Sequence, residues 1–235
     1  MFLFYVRHAD PIYCPDSITQ YGQKQAKALS SMFFEFGLDK IFCSSSQRAI
    51  MTAEPTAEKL GLNIELLDFA NEKYAFEFFT KRRENNESVW CFSDKETLEK
   101  FQSTEIISSG FKWYKNDSFK NEKFGRGIEF VRQVTIDLMD SLGYKYDFVN
   151  RTYKAINPRY KRVAIFAHGG FGMAFMSCLL ERPYPLFVTR FTQLSTTGVS
   201  IFKIEDEGSN LVPKFYQYNN DFHLYKKGLT GLFNG

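Results

Sequence analysis

The sequence is short of the residues that build metal and redox centres. It has three histidines and four cysteines among 235 residues. Cys14, Cys43, Cys91 and Cys178 lie far apart and form no CxxC pair, so neither a zinc framework nor a thioredoxin-type motif is indicated. No apolar run approaches the roughly 20 residues needed to span a bilayer, so no membrane partner is expected. Phe2 to Val6 is apolar but too short for a secretory core, and Arg7-His8-Ala9-Asp10 follows at once. A cytoplasmic protein with reduced thiols is the expectation. Charge of one sign is lacking too. Thirty Lys and Arg against 27 Asp and Glu leave a net charge of +3, which suits a small anionic ligand and makes no case for nucleic acid. Lys81-Arg82-Arg83 and Tyr160-Lys161-Arg162 read as solvated surface. There is no internal repeat and no low-complexity tract.

Apolar and aromatic residues are plentiful, at 44% and 17%, and the 26 phenylalanines exceed what a core alone requires. Phe2 to Val6 and Val163 to Ala167 read as buried strands. Thr19 to Phe36 carries apolar residues at Ala26, Leu29, Phe33 and Phe36, a helical spacing with Thr19 or Ser17 as cap and Gly37 as stop. Lys40 to Cys43 reads as a strand, Ser44-Ser45-Ser46 as the start of a helix reaching about Leu60, and Ile64 to Leu67 as a third strand. This alternation predicts an α/β fold, a three-layer α/β/α sandwich with a mostly parallel sheet. The regularity fails from about residue 73 to 126. That stretch is too long and too aromatic for a bare loop and is expected to form an inserted, mostly helical cap over the crevice. A helix from Ile128 to Leu142, the Val163 strand, a helix from about Phe171 to Leu180, and strands Gly198 to Ile204 and Val212 to Tyr218 complete a single domain, 1–235.

Residues just past the carboxyl ends of parallel strands meet in one crevice, where ligands bind. The predicted strand ends deliver Arg7-His8, Ser44 through Arg48, and His168-Gly169 there. Arg48 falls in the first turn of its helix, whose exposed amides already favour an anion. Two guanidiniums and a second imidazole around His8 would neutralise a phosphoryl group as it transfers. Expelling an alkoxide also needs a proton donor. Asp68, Glu72 and Glu77 follow the third strand, and spacing does not choose among them.

Several motifs, in order, resemble the histidine phosphatase superfamily, which includes the cofactor-dependent phosphoglycerate mutases. They are Arg7-His8-Ala9-Asp10, Thr19-Gln20-Tyr21-Gly22-Gln23-Lys24-Gln25-Ala26, Ser44-Ser45-Ser46-Gln47-Arg48-Ala49-Ile50-Met51-Thr52-Ala53, Asn71-Glu72-Lys73, Ala167-His168-Gly169-Gly170 and Asn220-Asp221-Phe222-His223-Leu224. The resemblance runs from residue 1 to about 224. It implies that His8 is the nucleophile, that Arg7, Arg48 and His168 bind the phosphoryl oxygens, and that the Gly169 amide adds a donor. Glu72 would be the acid and later the base, and His168 would be protonated when phosphate is present. No metal and no cofactor would be used, in keeping with the lack of a carboxylate cluster suited to Mg²⁺. Ala9 stands for the family's usual Gly, Asp10 for Glu, Ser45-Ser46 for Pro-Leu, and Cys14 where mutases commonly have Asn. The Asp10 and Cys14 departures favour a phosphatase acting on a small phosphorylated metabolite over the alternative, a phosphoglycerate-type mutase. A non-catalytic phospho-ligand sensor is the second alternative. Oligomeric state is not legible.

Overall fold

The computed structural model describes residues 1–191 and 193–233. The chain opens with strand β1 (Phe2–Arg7), the short hairpin β2 (Pro11–Tyr13) and β3 (Asp16–Ile18), helix α1 (Gln20–Phe36), β4 (Lys40–Ser44), α2 (Gln47–Leu60) and β5 (Ile64–Leu67). There follow α3 (Glu72–Phe79), the hairpin β6 (Thr80–Arg82) and β7 (Ser88–Trp90), α4 (Lys95–Phe101), α5 (Thr104–Ser108) and the long α6 (Phe124–Ser141). The rest comprises β8 (Tyr144–Asp147), β9 (Thr152–Ala155), β10 (Arg162–Ala167), α7 (Gly169–Leu179), α8 (Tyr184–Val188), β11 (Val199–Lys203), β12 (Lys214–Asn220) and the single turn α9 (Phe222–Tyr225). These elements form two compact units. One comprises Met1–Asn71, Met139–Gly169 and Leu194–Gly235, the other Glu72–Leu138 and Gly170–Gln193.

The first unit holds a six-stranded sheet in the order β12-β11-β1-β10-β4-β5. The four strands β1, β10, β4 and β5 are parallel, and β11 and β12 are antiparallel. The fold is therefore α/β with a mostly parallel sheet, as the alternation predicts. β1 and β10 are nearly continuous apolar runs because both faces of a parallel sheet are covered. On one face Phe4, Val6 and Phe166 pack with Leu29 and Phe33 of α1 and Ala49, Ala53 and Ala57 of α2. Phe33 meets Phe4 edge-on at 5.5 Å. Burying a side chain of this size contributes about 1.5–3 kcal/mol. Thr19 caps α1 by accepting from the Gly22 amide at 2.9 Å, and Gly37 ends it. Gly61 closes α2 with the left-handed φ of 66° that glycine adopts without a Cβ clash.

The second unit is built on aromatic rings. Phe79 stacks on Tyr184 at 4.9 Å, Trp113 on Tyr184 at 6.2 Å, and Phe101 meets Trp113 edge-on at 5.3 Å. Such pairs add about 0.5–1.5 kcal/mol each beyond the area they bury. Much of the aromatic excess is therefore core. Phe76 and Trp90 stay partly exposed in edge-on contact at 5.5 Å.

Four features differ from expectation. Residues 10–17 are not merely turns, since Pro11–Tyr13 pairs with Asp16–Ile18. Residues 144–155 form a further hairpin, β8–β9, and α6 begins at Phe124 rather than Ile128. Phe124 is buried in the aromatic cluster, which anchors the helix start despite Gly125 and Gly127. β12 begins at Lys214, two residues later than expected, and extends to Asn220. Among the described residues, no helix is long and apolar enough to cross a membrane. The basic clusters are surface: Lys81 pairs with Glu96 at 3.1 Å and Lys161 with Asp206 at 2.7 Å.

Candidate active site

Sheet register brings the sequence-predicted residues to one edge. Arg7, the last residue of β1, stands beside Ala167, the last of β10, and Phe166 stands beside Cys43 of β4. His8 and His168 follow directly, and Ser44 is the last residue of β4. The His8 amide donates to the Ala167 carbonyl at 2.9 Å, and the Tyr5 hydroxyl donates to the His168 carbonyl at 2.7 Å. The two imidazoles lie 5.2 Å apart between centroids, tilted by 61°. Arg7, His8 and His168 are 4%, 3% and 0% exposed, so their charges and lone pairs act in a medium that screens little. The Arg7 guanidinium donates through Nη1 to the Leu194 carbonyl and passes Gly169, whose missing Cβ would sit 3.7 Å from Arg7 Nε.

Hydrogen bonds fix both tautomers. His8 Nδ1 is 2.8 Å from the Ala9 carbonyl, which can only accept, so Nδ1 carries the proton and Nε2 the lone pair. His168 Nδ1 is 3.2 Å from Arg48 Nη2, which can only donate, so its proton is on Nε2. That nitrogen faces the hydroxyls of Ser44 at 2.8 Å and Ser46 at 3.1 Å. Burial, then the neighbouring Arg7, and finally Arg48 hold the His8 pKa well below its ordinary value. Burial does the same at His168, followed by His8, Arg48 and Arg7. Both rings are thus neutral in the ligand-free protein.

The third histidine is structural. His223 Nε2 is 3.0 Å from Thr197 Oγ1, and burial lowers its pKa from 6.5 to about 4. A histidine with a depressed folded-state pKa takes up its proton first in the unfolded chain. Stability is then present above the unfolded value and is lost as pH falls. Thermal melting of the ligand-free protein is expected to drop steadily between pH 6.5 and about 4, the window that His223 sets and that His8 and His168 deepen. A melting temperature constant across that window contradicts neutral buried imidazoles.

Three side chains at this edge have contacts that the sequence did not indicate: Ser44 and Ser46, which it brings to the crevice without a role, and Asp16. The Ser44 and Ser46 hydroxyls accept from His168 Nε2, and Asp16 pairs with Arg48 Nη1 at 2.7 Å. Ser46 stands where the family pattern has Leu, so the departure places a hydroxyl on the second histidine. Asp10 ties the end of β1 to α1 by accepting from the Thr19 hydroxyl at 2.7 Å, and Cys14 lies exposed in the β2–β3 turn.

Of the three carboxylates left open as proton donor, Asp68 accepts from Ser45 Oγ at 2.8 Å and Glu77 pairs with Lys123 at 3.3 Å on the surface. Glu72 is the first residue of α3, in the second unit. Its Oε1 accepts from the Gly170 amide at 2.9 Å and its Oε2 from the Phe171 amide at 3.3 Å, both in the first turn of α7. Gly170 permits this approach, because a Cβ there would lie 2.5 Å from Glu72 Oε1. Among the described residues, no group of three or more His, Cys, Asp and Glu is placed to hold a metal ion.

The sequence pattern of the histidine phosphatase superfamily (branch 1) matches residues 14–102, the stretch that holds Arg48 and Glu72. No curated protein matches the chain in sequence. Solved structures match it over nearly its full length. A phosphoserine phosphatase from Entamoeba histolytica in complex with phosphoserine is 18% identical, covers 95% of this chain and 98% of its own, and superposes with a TM-score of 0.60. A mycobacterial glucosyl-3-phosphoglycerate phosphatase is 16% identical, with coverage of 93% and 98% and a TM-score of 0.58. The α-ribazole phosphatase from Shigella flexneri is 17% identical, with coverage of 94% and 97% and a TM-score of 0.60. Over residues 14–102 the sequence pattern is that of the histidine phosphatase superfamily, and over nearly its full length the fold is the one these solved phosphatases share.

Proposed function

We propose that the protein is a metal-independent phosphomonoesterase that hydrolyses a small phosphorylated metabolite through a phosphohistidine on His8. The observation that carries this reading is the buried, neutral His8 ring. Its Nδ1 proton is held by the Ala9 carbonyl and its Nε2 lone pair is free for attack, among the Arg7 and Arg48 guanidiniums and a second imidazole. The Nε2 lone pair forms a bond to phosphorus as the ester P–O bond breaks, and the protonated carboxyl of Glu72 gives its proton to the departing oxygen. Water then attacks the phosphorus, Glu72 takes the water's proton, and the P–N bond breaks to return the lone pair to His8. Arg7, Arg48 and His168, with the Gly169 amide, stabilise the charge on the three transferring oxygens. His168 is neutral in the ligand-free protein and gains its proton as the dianion arrives, an opposite charge that raises its pKa.

The structural relatives bear names of enzymes acting on phosphoserine, glucosyl-3-phosphoglycerate and α-ribazole phosphate. They support a small phosphorylated substrate as the class. The second unit, with the partly exposed Phe76 and Trp90, is proposed as the cap that selects among such substrates. Release of inorganic phosphate from a panel of sugar, glycerate, amino-acid and nucleotide monophosphates, in excess chelator, tests the assignment. Chelator-resistant turnover of at least one substrate is expected. Transfer of the phosphoryl group to a second substrate instead of water would make the protein a mutase, and binding without turnover or phosphorylation would make it a sensor.

A further inference from the structure

The hairpin β2–β3 brings a carboxylate to Arg48 that none of the roles above uses. Asp16 Oδ1 accepts from Arg48 Nη1 at 2.7 Å, while Oδ2 accepts from the amide of Gln47, the first residue of α2, at 2.8 Å. One oxygen thus anchors the carboxylate to the backbone of the helix that bears Arg48, and the other grips the guanidinium. The same guanidinium lies over the Tyr13 ring at 5.4 Å and reaches His168 Nδ1 through Nη2 at 3.2 Å. Arg48 Nε is buried with no hydrogen-bond partner. A buried N–H without an acceptor is costly unless a ligand supplies one.

We infer that Asp16 is a positioning residue. It pins Nη1 so that the remaining edge of the guanidinium, Nε with Nη2, is presented to the phosphoryl oxygens. This deepens the phosphatase reading and rests on Arg48 binding phosphate. The physical case is preorganisation: an arginine in a helix's first turn has several rotamers, and fixing one beforehand removes that cost from binding. Asp16 also brings negative charge close to an anion site, an effect of the opposite sign. Its partners are a guanidinium and a helix N-terminal amide, which offset that charge locally. Alignment therefore outweighs repulsion.

The sign of one measurement decides. Binding of inorganic phosphate to the ligand-free protein would be followed by titration calorimetry in the wild type, Asp16→Ala, Asp16→Asn, Arg48→Ala and the Asp16→Ala/Arg48→Ala pair, with thermal melts alongside. Asp16→Ala is expected to weaken phosphate binding roughly 10- to 100-fold, the weight of a charge-assisted hydrogen bond. Asp16→Asn, which keeps one acceptor, should recover part of the loss and serves alone if the alanine variant does not fold. In the Arg48→Ala background the Asp16 change should add nothing, because its effect passes through that guanidinium. Unchanged or tighter phosphate binding in Asp16→Ala overturns the inference, as does an equal loss in the Arg48→Ala background. A wild type that binds no phosphate would instead overturn the site reading, and the inference with it.

Discussion

Replacing His8 with alanine is expected to abolish turnover, by about 10⁴-fold or more, while the variant still binds inorganic phosphate. The asymmetry follows from how the site divides its work. Arg7, Arg48 and His168 are proposed to hold the phosphoryl oxygens, and their supports remain when the His8 ring is removed: the Leu194 carbonyl for Arg7, Asp16 for Arg48, and Ser44 and Ser46 for His168. Only His8 offers a lone pair with its other nitrogen already protonated and fixed by a backbone carbonyl. With those supports in place, phosphate should bind His8→Ala about as tightly as the wild type. Steady-state phosphate release and phosphate titration of the same preparation check both halves. Retained turnover in His8→Ala would mean that the nucleophile lies elsewhere.

Glu72→Gln is the second large effect expected, a loss of about 10²–10⁴-fold on alkyl phosphates and much less on an aryl phosphate with an acidic leaving group. Both carboxylate oxygens accept amide hydrogens, from Gly170 and Phe171. Glutamine has one acceptor oxygen, so its NH₂ would confront an amide donor, and it has no transferable proton. A purely structural defect would slow both substrates alike, whereas loss of a proton donor hurts the poorer leaving group more. The ratio of the two rates, wild type against variant, is therefore the readout. Equal losses on both substrates would reduce Glu72 to a brace for α7.

How much of this was legible in the sequence varies with the range of the interaction. Strands β1, β4, β5 and β10 and helices α1 and α2 show in local runs, spacing and caps such as Thr19, Gly37 and Gly61. Once those strands are parallel, His8, Arg48 and His168 must converge, because strand ends fix where the next residue emerges. The hairpins were harder to read. β2–β3 has three-residue strands with only Ile18 buried, too short for a period to register. In β8–β9 the buried Tyr144, Tyr146 and Tyr153 do alternate with polar residues, a signal confined to four residues per strand. Side-chain pairing across the fold left no local trace. Ser44 and Ser46 meet His168 across 124 and 122 positions, and Asp16 meets Arg48 across 32. The choice of Glu72 over Asp68 and Glu77 comes from the family resemblance alone; the paired amides of α7 fix where its carboxylate stands.

The most direct test is to mix the protein with a substrate, quench in alkali within milliseconds to seconds, and locate phosphate by peptide mass spectrometry. A P–N bond survives alkali and breaks in acid, which separates it from serine and threonine esters. The expected result is a transient, acid-labile phosphoryl group on His8, absent from His8→Ala. Phosphate found on His168 or on a serine, or turnover with no phosphorylated protein at any time, would contradict a phosphohistidine mechanism at His8.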